Sequence, residues 1–91
     1  MKSHTQISTA EAARIAKRLL NHWKHKFEVA ETEADFTIFM PDATIQLMPQ
    51  PDVLLVSIDS TLEDLSRLEQ AVLDHLSRMA QLDFTATWQH Q

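Results

Sequence analysis

Four groups of residues in this chain are of types that do chemistry. His22 and His25 stand three apart in one segment, and His75 lies near the far end of the chain. If the three imidazoles converge, they offer nitrogen ligands to a metal ion or to haem iron. The other reading leaves His22 and His75 as hydrogen-bonding residues at a helix boundary, with His25 adding charge to a basic surface. The second group is the carboxylates Glu28, Glu31, Glu33 and Asp35. Paired carboxylates run acid–base chemistry when a site separates their pKa values, but these crowd around a turn with no visible pocket. Third, Ser57 and Ser60 flank Asp59 without a nucleophile elbow or triad spacing. No catalytic residue is assigned, and the sequence weighs against an enzyme.

The fourth group is the most distinctive. Arg14, Lys17, Arg18, Lys24, His25 and Lys26 fall within thirteen residues that contain no acid. Residues 1–27 carry six Lys or Arg against Glu11 alone, formally +5, whereas residues 28–91 carry two Arg against twelve acids, formally −10. Such a division gives a folded molecule a directional field and one favoured contact surface. Arginine there would engage a carboxylate or phosphate in bidentate geometry. The partners this face suits are an acidic protein or an anionic small molecule. A net charge of −5 argues against general nucleic-acid affinity. Trp23 and Trp88 both fall in inward patterns, which removes the exposed stacking platform that single strands require.

Composition narrows the field further. The chain has no cysteine, so disulfides, thiol nucleophiles and Cys-based metal sites are excluded. It also has no glycine, which excludes a Walker loop or a glycine-rich dinucleotide loop of the usual kind. No apolar run approaches the roughly 20 residues that cross a bilayer, and the first ten residues lack a signal-peptide core. The expectation is a cytoplasmic protein with no membrane attachment. Ninety-one residues suit one small domain, and the thin stability margin of that size favours a homodimer.

The elements that must position these residues follow from hydrophobic period. Residues 1–7 show none and are expected to form a flexible arm, with residues 8–91 as a single domain. Ser8 and Glu11 have capping-box spacing, and Ala12, Ile15, Ala16, Leu19, Leu20 and Trp23 follow as one helical stripe. From Phe27 the period drops to 2. Strands are expected at Phe27–Ala30, Phe36–Met40, Ala43–Leu47 and Leu54–Ile58, with turns near Thr32-Glu33, at Pro41-Asp42 and through Pro49–Asp52. Tight turns there pair Met40 with Ala43, Ile38 with Ile45, Val29 with Phe36, and Leu47 with Leu54, so every apolar side chain shares one face. Ser60 and Glu63 repeat the capping-box spacing before a helix bearing Leu62, Leu65, Leu68, Val72, Leu76 and Met79. Phe84, Ala86 and Trp88 alternate as a fifth strand.

The expected fold class is α+β, a two-layer α/β sandwich in the order α-β-β-β-β-α-β. The five-stranded antiparallel sheet has the order 5-1-2-3-4, counting expected strands along the chain, with both helices on one face. The opposite sheet face then presents Phe39, Met48, Val53 and Leu55 as a surface for self-association or a ligand.

The segments Arg14–Phe27, RIAKRLLNHWKHKF, and Asp74–Trp88, DHLSRMAQLDFTATW, carry a resemblance. The chain resembles a small bacterial domain-of-unknown-function family, number 2218, from Ser8 onward. Members pair an early helix ending in a His-Trp-x-His-Lys-Phe-like segment with a β meander and a later His-containing helix. His22, Trp23, His25, Lys26, His75 and Arg78 occupy the family-like positions, while Met79 stands where an aromatic is common. The family supplies no catalytic set. Some members resemble companions of siderophore-interacting proteins, which implies a non-catalytic accessory or binding domain in iron or siderophore metabolism. The alternatives that remain are a metal- or haem-binding protein built on the histidines, and a structural homodimer.

Overall fold

The fold rests on a meander of four strands whose apolar residues alternate with polar ones. The computed structural model describes residues 1–90. In chain order the elements are β1 (Lys2–Ser8), α1 (Ala12–Trp23), β2 (Glu28–Glu31), β3 (Phe36–Met40), β4 (Ala43–Pro49), β5 (Val53–Ser60), α2 (Ser66–Ala80) and β6 (Gln89–His90). The six strands form one antiparallel sheet in the order β2-β3-β4-β5-β1-β6. Phe36, Ile38, Ala43, Ile45, Leu47, Leu54, Val56 and Ile58 line one buried face, and both helices pack their apolar stripes into the same core.

The α+β class and the one-sided helices match the expectation; the number and order of strands do not. Residues 2–8 are not a loose arm. They form β1, which pairs along its whole length with β5, from Lys2 opposite Asp59 to Ser8 opposite Val53. The inward positions of β1 are Ser3, Thr5 and Ile7, all buried. Two of the three are polar, which hid the period of 2 from a hydrophobic reading. Because β1 occupies the free edge of β5, the end of the chain docks there. The ladder of the last strand is only Gln89-His90, pairing with His4 and Ser3. Phe84, Ala86 and Trp88 keep their inward alternation against the core without joining the sheet.

Register within β3 and β4 is as expected, with Phe36 opposite Leu47, Ile38 opposite Ile45 and Met40 opposite Ala43. The two neighbouring pairings each differ by two residues. Val29 faces Ile38 and Leu47 faces Val56. An even shift preserves the face of every side chain, because the pleat repeats every two residues. The first shift arises in the turn after β2. There the Thr32 hydroxyl accepts from the backbone N–H groups of Ala34 and Asp35 and donates to the Asp35 carboxylate.

Both expected capping boxes are displaced. Ser8 and Ser60 are the last residues of β1 and β5. The Ser60 hydroxyl donates to the Asp42 carbonyl at 2.6 Å and accepts from Leu62 N–H. Helix α2 therefore starts later, at Ser66, whose N–H (2.9 Å) and hydroxyl (2.6 Å) both donate to Asp64 Oδ1. Leu62, outside that helix, is exposed.

Helix α2 ends without glycine. Gln81 takes the left-handed conformation, φ 57° and ψ 35°, while its N–H bonds the Arg78 carbonyl and Leu82 N–H bonds the Ser77 carbonyl. This is the Schellman arrangement that glycine usually completes. A residue with a Cβ pays a steric penalty there.

Two outcomes follow. Gln81→Gly relieves the left-handed strain and should raise the unfolding free energy by about 1 kcal/mol, measured by urea denaturation. The Ser66 hydroxyl and N–H hold the Asp64 carboxyl below its usual range. Its folded-state pKa is depressed, so its contribution is present above the unfolded pKa and lost as pH falls through the folded one. Asp64→Asn should therefore be less stable than the parent at neutral pH, and the gap should close in acid.

Candidate functional site

Helix α1 displays Arg14, Lys17 and Arg18 away from the core, and neighbouring groups occupy all three. Arg14 pairs with Glu11 at 2.8 Å and Lys17 with Glu31 at 2.5 Å, both in solvent. Arg18 Nη1 donates to the Met79 carbonyl at 2.9 Å. That carbonyl lies in the last turn of α2, where a guanidinium satisfies an otherwise unpaired acceptor and opposes the negative helix end. Arg18 thus fastens the two helices together. At the other end of α1, Lys24, His25 and Lys26 are exposed and make no ion pair among the described residues. Lys26 Nζ lies 5.5 Å from the centre of the Phe27 ring. Lys24 and Lys26 thus place two unpaired cations close together in the turn after α1, while Lys2, Arg67 and Arg78 also lack an ion pair among the described residues.

Of the three histidines, the structure brings two together. The His22 and His75 ring centres are 5.6 Å apart, with the rings inclined at 46°. His75 also lies 4.9 Å from the Trp23 ring and hydrogen-bonds the Ala71 carbonyl through Nδ1 at 2.7 Å. Trp23 in turn meets Phe27 edge to face at 6.1 Å. No group of three His, Cys, Asp or Glu side chains able to hold a metal occurs among the described residues. His25 accordingly does not complete a three-histidine centre.

The hairpin carboxylates have structural partners. Glu31 holds Lys17, and Asp35 accepts from Thr32 Oγ1 at 2.8 Å and from Gln46 Nε2 at 2.6 Å. On the open sheet face, Met48 and Leu55 are direct cross-strand partners, and Val53 lies two residues along from Leu55. Phe39 is opposite Thr44, four residues from Met48 on β4, or about 13 Å. Met48, Val53 and Leu55 thus lie together, with Phe39 further along the same face.

One cluster escaped the sequence reading. Glu69 replaces an apolar residue on the buried side of α2 and is only 7% exposed. Its Oε2 accepts from Ser3 Oγ and lies 2.6 Å from His90 Nε2. Thr5 Oγ1, the other inward polar group of β1, donates to the Thr87 carbonyl at 2.9 Å. These contacts join β1, α2 and the end of the chain. The available signal was a carboxylate at a helical interval that points inward, and it required knowing that β1 carries inward hydroxyls.

The family model for an uncharacterised protein conserved in bacteria, DUF2218, matches residues 4–89. The chain belongs to this family. Its fold is also that of a solved relative within reach of sequence comparison, the NMR structure of PA4090 from Pseudomonas aeruginosa. The two share 38% identity with a TM-score of 0.81, over 97% of this chain and 94% of that one. No curated protein matches the chain. The family resemblance ran through His22, Trp23 and His75, and these are the side chains that the fold assembles between the helices. No helix among the described residues is long and apolar enough to cross a membrane.

The buried carboxylate gives a direct test of how the chain end is held. Glu69→Ala strands the Ser3 hydroxyl and should cost about 1–3 kcal/mol in unfolding free energy. Amide exchange at Gln89 and His90 should accelerate more than exchange in β3 and β4.

Proposed function

We propose that this protein is a non-catalytic accessory domain that binds an anionic partner through the turn after α1. The observation that carries this reading is the distribution of uncompensated charge. Arg14, Lys17 and Arg18 are engaged within the molecule, whereas Lys24, His25 and Lys26 stand exposed without a carboxylate. They belong to a segment formally at +5 beside a remainder at −10. An anion approaching the molecule is repelled by most of its surface and drawn to one end, which favours a single orientation of encounter.

The partner classes that suit this end are an acidic protein segment and an anionic small molecule. The resemblance of some family members to companions of siderophore-interacting proteins makes an anionic ferric siderophore the first small molecule to try, with the domain acting in the cytoplasm. The Ser3–Glu69–His90 cluster places the carboxylate between the other two and buries the serine. That order does not provide an exposed nucleophile with an adjacent histidine base.

The test is titration of the full chain, at low salt, with an anionic ferric siderophore and with a poly-glutamate peptide. Binding of one of them should weaken as salt is added, and Lys24→Glu with Lys26→Glu should reduce it by roughly tenfold or more, or at least 1.4 kcal/mol. Arg14→Ala should have a smaller effect, because Glu11 already neutralises that side chain. Failure of both probes at low salt, or equal binding by the doubly reversed variant, would overturn the reading.

A further inference from the structure

Two imidazoles, one from each helix, lie side by side outside the basic turn. His22 is exposed on α1, and His75 is partly buried on α2. Their ring centres are 5.6 Å apart. Two imidazoles bound to one tetrahedral ion, with metal–nitrogen bonds of about 2.0–2.1 Å, place their ring centres roughly 5 Å apart. The observed separation is close to that distance, and His22, being exposed, is free to turn its ring toward a shared ion.

The second observation concerns which nitrogen is available. His75 Nδ1 lies 2.7 Å from the Ala71 carbonyl. A carbonyl only accepts, so Nδ1 must carry the proton. In the neutral ring the lone pair is then on Nε2. A ligating histidine characteristically donates its other ring N–H to a backbone carbonyl or carboxylate, which fixes the tautomer and orients the ring. The Trp23 ring, 4.9 Å away, restrains the same imidazole from a second side. His75 is thus held in one tautomer and one orientation before any ion arrives.

We propose that His22 and His75 form a two-imidazole site for a divalent first-row transition ion of the zinc or copper class. Imidazole nitrogen suits these ions, and the carboxylate- and carbonyl-rich shells that favour magnesium or calcium are missing from the pair. No third His, Cys, Asp or Glu joins the two among the described residues. The remaining coordination positions are left to water or an exogenous ligand, one more than a three-ligand catalytic zinc site leaves open, so binding is weaker than at such a site. The site is separate from the anionic-partner reading and is tested with no partner present.

The experiment uses the untagged full chain. Calorimetric titration with zinc chloride should show one ion per chain. Titration with copper(II) chloride, in a Trp88→Phe background, should quench Trp23 emission. His22→Ala should weaken both by roughly tenfold or more, and His25→Ala should leave both unchanged. His75→Ala should do the same as His22→Ala. It also removes packing against Trp23, so the exposed His22 is the deciding position, and the thermal melt of each variant checks the fold. The proposal is overturned if neither ion binds at millimolar concentration, if His22→Ala binds as the parent does, or if binding follows His25.

Discussion

Everything in this molecule depends on one buried sheet face held in a consistent pleat. Ile38, Ile45, Leu47, Leu54, Val56 and Ile58 are each at most 1% exposed, and all six come from three adjacent strands, β3, β4 and β5. With side chains alternating at a period of 2, no strand can slip by one residue without exchanging its dry face for its wet one. Both helices lie against that face, so their relative position follows from it. Helix–helix features such as the Arg18–Met79 contact and the His22–His75 pair exist because the sheet sets the floor on which α1 and α2 meet.

That parity explains what was legible in the sequence. The inward set of β3, β4 and β5 was readable residue by residue, as was the whole stripe of α1 from Ala12 to Trp23. Two registers were shifted by two residues, yet no inward residue became an outward one, because alternation reports parity and not absolute pairing. What alternation could not report was β1. Its inward residues are Ser3, Thr5 and Ile7, and hydroxyls are acceptable in a core only when distant residues satisfy them. Those partners, Glu69 and the Thr87 carbonyl, are more than sixty residues away. A local reading has no access to that compensation. It therefore missed the strand, sent the end of the chain to the wrong edge, and overlooked Glu69 for the same reason.

The candidate site was legible in kind and less so in arrangement. The basic residues and the histidines could be named from spacing, but spacing does not show which charges are already spent. Arg14 finds a carboxylate one turn away, Lys17 and Arg18 find a carboxylate and a carbonyl through tertiary packing, and in that basic segment Lys24, His25 and Lys26 are left without a partner carboxylate among the described residues. Likewise His22 and His25 are close in sequence, while the spatial neighbour of His22 is His75 from the other helix. Sequence proximity along a helix end gave way to contact between the two helices.

The pairing of β1 with β5 has a consequence for how the chain acquires its shape. The β2–β5 meander is built from short hairpins that close quickly, whereas Lys2 to Ser8 must meet Val53 to Asp59 across about fifty intervening residues. On a ribosome the first strand emerges long before its mate. Until then its hydroxyls face water without penalty, a condition that an aliphatic strand in the same place would not enjoy. The polar lining of β1 thus suits a segment that must wait in solvent, and Glu69 supplies its acceptor only once the second helix has docked.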